Sequence, residues 1–282
     1  MPVIVVTDSS SRLPASLTDR YGITQAPLHV SMPDGTEYLE GVDDIPVEVI
    51  STPGATTSGA NPQDLMEIYG EALDRSDGDG VVAVHMSRQL SGTWAAARLV
   101  TEELGDAVRV VDSRAVGVSV GLTAIAAAQT AQAGADRDGV YEAAVRSAAT
   151  AESLMCVQTL ENLRASGRIS AASHLLGSAL AIKPILHIAD GVLALQGRQR
   201  TMTKAVKRMV EEIAENVGDD EVTVAVQHCY APELAVDVHQ SVLDAIPNVT
   251  SSLVVELGPV LGIHVGQGAV GVTVGRGLQT LD

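Results

Sequence analysis

Along the first half of the chain, short β-branched runs alternate with longer segments of helical period. Residues 3–7 precede a helical pattern that opens at Pro14, 81–85 precede one over 90–104, and 108–111 precede one over 117–133. Strands separated by helices of this length predict βαβ units and a mainly parallel sheet. Ligands of such sheets sit beyond the carboxyl ends of the strands.

The pattern changes near residue 150. A helix is expected over 140–153, a strand over 155–159, a helix from 160 into Ser166-Gly167-Arg168, and helix again to about 181, ended by Pro184. Runs 185–189 and 192–196 face each other across Asp190-Gly191, a two-residue hairpin signal. A helix over 204–216, strand 222–228, helix 232–243 and strands 251–256 and 269–274 complete the chain. The prediction is an α/β protein of two domains: 1–150 with a mainly parallel sheet, and 151–282 with a mixed sheet.

Composition narrows what these domains can hold. Among 282 residues there is no Phe, five Tyr and one Trp, Trp94. Any cavity is therefore lined by aliphatic side chains and Met, a surface suited to an aliphatic chain. The net charge of -17 argues against a nucleic-acid partner, whose phosphates need basic neutralisation, and against attachment to an acidic membrane surface. The charge is uneven: 164–208 carries eight basic residues and one acid, +7 locally against -24 elsewhere. This stretch is either a solvated basic face or a docking surface for an anionic partner. Cys156 and Cys229 form neither a disulfide framework nor a metal motif, and the seven histidines include no H-x-H or H-E-x-x-H pair, so no metal is expected. The N-terminus reads as a first strand without the basic region of a signal peptide. The apolar stretch 116–128 is too short to span a bilayer, and a cytoplasmic location without stable membrane insertion is expected.

Four motifs could carry chemistry. Gly266-x-Gly268-x-x-Gly271 has dinucleotide spacing, but a strand follows it where that motif needs a helix. Gly117-x-Ser119-x-Gly121 matches a nucleophile elbow, yet the preceding strand ends several residues too early, and a helix N-terminus with small residues fits better. Thr56-Thr57-Ser58-Gly59-Ala60-Asn61-Pro62 and Ser87-Arg88-Gln89-Leu90-Ser91-Gly92-Thr93 each lead into a helical pattern. Hydroxyls and free N–H groups there serve either as caps or as a site for a carboxylate or phosphate.

Taken in order, Thr7-Asp8-Ser9-Ser10 with Leu13-Pro14, Thr57-Ser58, Leu90-Ser91-Gly92-Thr93, Val111-Asp112-Ser113, Gly167-Arg168-Ile169-Ser170, Lys183-Pro184 with Asp190-Gly191, and Gly258-Pro259 with His264-x-Gly266-x-Gly268 span the whole chain. In this order the chain resembles the DegV family, the fatty-acid-binding subunits of bacterial fatty acid kinase. The resemblance implies a non-enzymatic lipid-binding protein without a cofactor, holding a long acyl chain between two α/β domains. It also implies that the carboxylate is presented to a separate ATP-dependent kinase, which makes acyl phosphate for phospholipid synthesis. Matching positions make Thr57, Ser58, Ser91, Gly92, Thr93 and His264 the carboxylate site, Arg168 a supporting cation and Arg200 a docking position for the kinase. The chain departs from the family at Gly59-Ala60-Asn61, where Gln-Pro-Ser is usual, and at Ser166, Gln267 and Trp94. Two other functions remain open: a serine-dependent acyl hydrolase using Ser119 or Ser91 with His264 as base, and a binder of a small phosphorylated metabolite.

Overall fold

The computed structural model describes residues 3–169 and 182–281. Its first sheet is parallel, in the order β2 (Thr24–Ala26), β1 (Ile4–Asp8), β6 (Val81–His85), β7 (Val108–Asp112). Every residue of β6 is buried, as expected of a central parallel strand covered on both faces. Around this sheet lie α1 (Ala15–Tyr21), α2 (Pro62–Ser76), α3 (Thr93–Leu104), α4 (Val118–Gln132) and α5 (Arg137–Thr150). Asn61 caps α2, its side-chain oxygen accepting from the Asp64 N–H at 2.9 Å, with Pro62 opening the helix. A small antiparallel sheet of β4 (Glu37–Leu39), β3 (His29–Ser31) and β5 (Thr56–Ser58) lies beside it. Its three-residue strands were not anticipated, because they are too short to show an alternating pattern.

The remaining sheet is mixed, in the order β10 (Val192–Gln199), β9 (Lys183–Ala189), β8 (Glu152–Cys156), β13 (Val270–Arg276), β11 (Val222–His228), β12 (Val249–Glu256). Only β11 and β12 pair parallel; β9 and β10 form the expected hairpin, with Val192 opposite Ala189 and a register shift between Leu195 and Gly197. Helices α6 (Glu161–Ala165), α7 (Met202–Val217), α8 (Pro232–Ala245) and α9 (Gly258–Val265) complete the described elements. The two larger sheets confirm the expected α/β fold, parallel first and mixed second.

Several boundaries differ from expectation, three of them in the stretch from residue 90 to 160. The helix expected from 90 begins at Thr93, because residues 87–92 form a turn in which Ser91 N–H donates to Ser87 O. The helix expected over 140–153 runs Arg137–Thr150, since Asp136 accepts from Gly139 N–H and fixes an earlier start. The strand expected over 155–159 is accordingly β8, beginning at Glu152. The predicted helix up to 181, and Ser170 with it, lies outside the described residues.

Helix α4 packs against β1 and β6 of the parallel sheet and against β13 of the mixed one. Nearly all its residues are buried, including Ser119, Thr123 and Gln129. A helix apolar on all sides is what a position between two sheets requires. Among the described residues no helix is long and apolar enough to cross a membrane.

Candidate functional site

A cavity of about 320 Å³ lies where the two halves meet. Leu28, Met86, Leu90 and Val116 line it from the first half, and Met155, Leu163, Leu193, Leu257 and Leu261 from the second. One group of lining residues is polar: Thr57, Ser58, Ser91, Arg168 and His264, with the backbone of Gly59 and Gly92. Ser58 and Gly92 are exposed, so this polar region reaches the solvent.

Four elements bring that group together. Thr57 and Ser58 lie on β5, held by its pairing of Thr57 with Val30 and of Ser58 with His29. Ser91 and Gly92 form the turn before α3, His264 is on the last turn of α9, and Arg168 follows α6. The two hydroxyl segments touch directly at Gly59. A Cβ there would lie 2.5 Å from Thr93 Oγ1 and 2.9 Å from Ser91 Oγ.

The hydrogen bonds bear on which protons are free. His264 Nε2 and Thr57 Oγ1 are 2.7 Å apart, while His264 Nδ1 is buried without a partner among the described residues. Burial, and secondarily the Arg168 guanidinium, lowers the His264 pKa from 6.5 to about 4, so the ring is neutral near pH 7. The neutral ring carries one proton: on Nε2 it donates to Thr57 and leaves the Thr57 hydroxyl proton for a ligand, and on Nδ1 the ring accepts from Thr57. On the facing turn, Ala60 N–H donates to Thr93 Oγ1 at 3.3 Å, and Thr93 Oγ1 lies 2.9 Å from Ser91 Oγ, which also accepts from Thr93 N–H at 3.2 Å. Either hydroxyl of this pair can be the donor; with Thr93 donating, the Ser91 proton is left for a ligand. Two neutral O–H donors, each backed by a second donor, suit an anionic oxygen that must lose its water.

The remaining expected residues separate. Thr93 is fully buried behind Ser91, outside the cavity lining, and acts on the cavity through Ser91. Arg200 is exposed beyond the end of β10 and does not line the cavity. Arg168 is the only Arg or Lys among the described lining residues, a weak cationic supply for a phosphate. Ser119 is in the first turn of α4 and outside the lining, so that G-x-S-x-G is a helix start and no elbow. The glycines of the dinucleotide spacing end α9 and lead into β13: Gly266 has φ 78° and donates its N–H to Gly262 O. Among the described residues no group of three or more His, Cys, Asp or Glu could hold a metal ion.

Comparison with known proteins gives the family and the fold. Residues 2–276 match the family model described as uncharacterised protein, DegV family. A DegV domain-containing protein of Mycobacterium bovis is 46% identical over 277 residues, covering 98% of each chain. The structure of a fatty-acid-binding DegV family protein of Thermus thermophilus superposes with TM-score 0.90 at 31% identity, covering 98% of this chain and 100% of that one. That of DegV, a fatty-acid-binding protein of Bacillus subtilis, gives 0.86 at 27% identity, covering 98% and 99%.

Proposed function

The chain belongs to the DegV family, and on that premise we propose that it binds a long-chain fatty acid and presents the carboxylate to a separate ATP-dependent kinase. The observation that carries this reading is an aliphatic cavity with the hydroxyls of Thr57, Ser58 and Ser91 and the neutral ring of His264 on one side. Each methylene buried there contributes ~0.8 kcal/mol, so a long chain supplies the affinity while the donors fix its direction. Thr57, Ser58, Ser91 and the Gly92 backbone hold the carboxylate, Thr93 and His264 orient the hydroxyls, and Arg168 adds positive potential. Uncharged donors leave the carboxylate oxygen nucleophilic toward a γ-phosphate. The solvent-reaching polar region gives a kinase access to that oxygen, and exposed Arg200, within the basic segment, is a docking position for it.

The test is titration of delipidated protein with saturated fatty acids of increasing length, followed by ATP-dependent acyl-phosphate formation with a fatty acid kinase subunit. Affinity should rise with each methylene. Ser91→Ala and Thr57→Val should each weaken binding roughly tenfold or more, the size of a hydrogen bond to a charged group, and reduce acyl-phosphate formation. Affinity independent of chain length would overturn the reading. Covalent acylation of Ser91 would favour a hydrolase instead.

A further inference from the structure

Glu40 follows β4 and is 2% exposed, a carboxylate in the interior beside the N-terminus of α9. Its Oε2 accepts from Ser9 Oγ at 2.7 Å and its Oε1 from Val260 N–H at 3.0 Å, while Arg12 Nη1 stands 3.7 Å from Oε1. Ser9 Oγ in turn accepts from Leu28 N–H at 3.1 Å. Arg12 also donates its Nε–H to Glu256 O at 2.8 Å, just before α9 begins. Both arms of this node therefore end on the cavity wall, one at Leu28 and the other at Val260. The node is tightly fitted: Gly258 has φ 74°, and a Cβ there would lie 2.6 Å from Glu40 Oε1 and 2.7 Å from the Arg12 guanidinium carbon.

We propose that Glu40 is a positioning residue for His264, acting through α9. The first turn of α9 presents unpaired N–H groups and the positive end of its dipole, and Glu40 meets both. His264 is four residues beyond Val260, about 6 Å along the same short helix. Pinning the Val260 amide fixes the azimuth and depth of the helix, and with them the His264 Nε2–Thr57 bond. A donor of this kind needs placement within about 0.5 Å to hold its ligand. Burial raises the Glu40 pKa against the pull of Arg12, Ser9 and Val260, with Asp8 adding to the rise. A carboxylate kept there despite that cost is consistent with a fixed structural setting for the helix. This assignment rests on the reading of Thr57 and His264 as part of the carboxylate site.

The experiment is a double-mutant cycle of Glu40→Gln and His264→Ala, read by affinity for a saturated sixteen-carbon fatty acid and, in proteins that retain His264, by the imidazole ¹⁵N shifts. Glu40→Gln should weaken binding roughly tenfold in the wild-type background, less than twofold in His264→Ala, and shift the Nε2 signal away from its wild-type value. Equal losses in both backgrounds, or unchanged imidazole shifts, would overturn the proposal. If Glu40→Gln does not fold, Glu40→Asp, which keeps the charge but draws the carboxylate back from the Val260 amide, is read in the same cycle with the same outcomes. A wild-type protein that binds no fatty acid would sink the site reading, while the imidazole shifts would still decide the role of Glu40.

Discussion

At position 264 the surroundings choose the protonation state. The ring is held neutral by burial and by Arg168, with a folded-state pKa of about 4 against 6.5 when unfolded. Between those values the unfolded chain binds more protons than the folded one, so stability rises with pH across this window. The contribution is complete above about pH 6.5 and is lost as pH falls toward 4, amounting to about 3 kcal/mol in all. Urea denaturation at pH 7 and pH 4.5 should show the wild type losing roughly 2–3 kcal/mol more than His264→Gln over that interval. Equal losses would mean that His264 titrates freely in the fold. The histidine itself was legible, standing just ahead of a glycine run. Its bond to Thr57, 207 positions away, was not, because no spacing encodes a contact made by β5 and a helix of the other half. Glu40 left no signal either: an acid before Gly41-Val42-Asp43 reads as an ordinary surface loop.

Elements with strong local chemistry were the readable ones. Asp190-Gly191 announced the β9–β10 hairpin, and β11 matched its predicted bounds because Val222, Thr223, Val224 and Val226 make it rich in β-branched residues. Helix α9 was missed: it is eight residues long, contains two glycines and has no polar stripe, so its period is silent. Pro259 after Gly258 was its one local signal, a proline at a helix start. The hairpin also shows what sequence leaves out, namely its anchorage. Ser87 Oγ donates to Gly191 O at 2.7 Å, tying the turn to the end of β6, and a Cβ on Gly191 would lie 2.5 Å from that oxygen. Ser87→Ala leaves a buried carbonyl unpaired and should cost about 1–3 kcal/mol. Because the strand after this turn carries Leu193 into the cavity, the loss should appear as faster amide exchange in β9 and β10. Unchanged exchange there would show that the hairpin holds its place without the Ser87 bond.

On the scale of the whole molecule, the second half keeps a hydrophobic cluster of its own, around Met209, Ile213, Val224 and Val272, and the two halves are also packed together. The hydrophobic cluster built on the parallel sheet takes in Ala225, Val255 and Val260 from the second half. Gln227 Oε1 accepts from Val118 N–H at 3.2 Å, holding the start of α4 to the mixed sheet. Near the far end of the chain, Gln129 Nε2 donates to Gln279 O and Gln129 Oε1 accepts from Gln279 N–H. Local patterns set each sheet, but sharing a buried helix is a property of the packed whole, which no local pattern shows. Unfolding should accordingly be one cooperative step. Trp94, the only tryptophan, is on α3 and reports the first half alone, whereas far-ultraviolet ellipticity reports both. The two denaturation curves should coincide, the ordinary sign of two-state behaviour. A tryptophan transition at lower denaturant would show that the halves melt separately. Since the cavity takes its walls from both halves, a saturating fatty acid should move both curves to higher denaturant by the same amount, whereas a ligand held by one half would move one and split them.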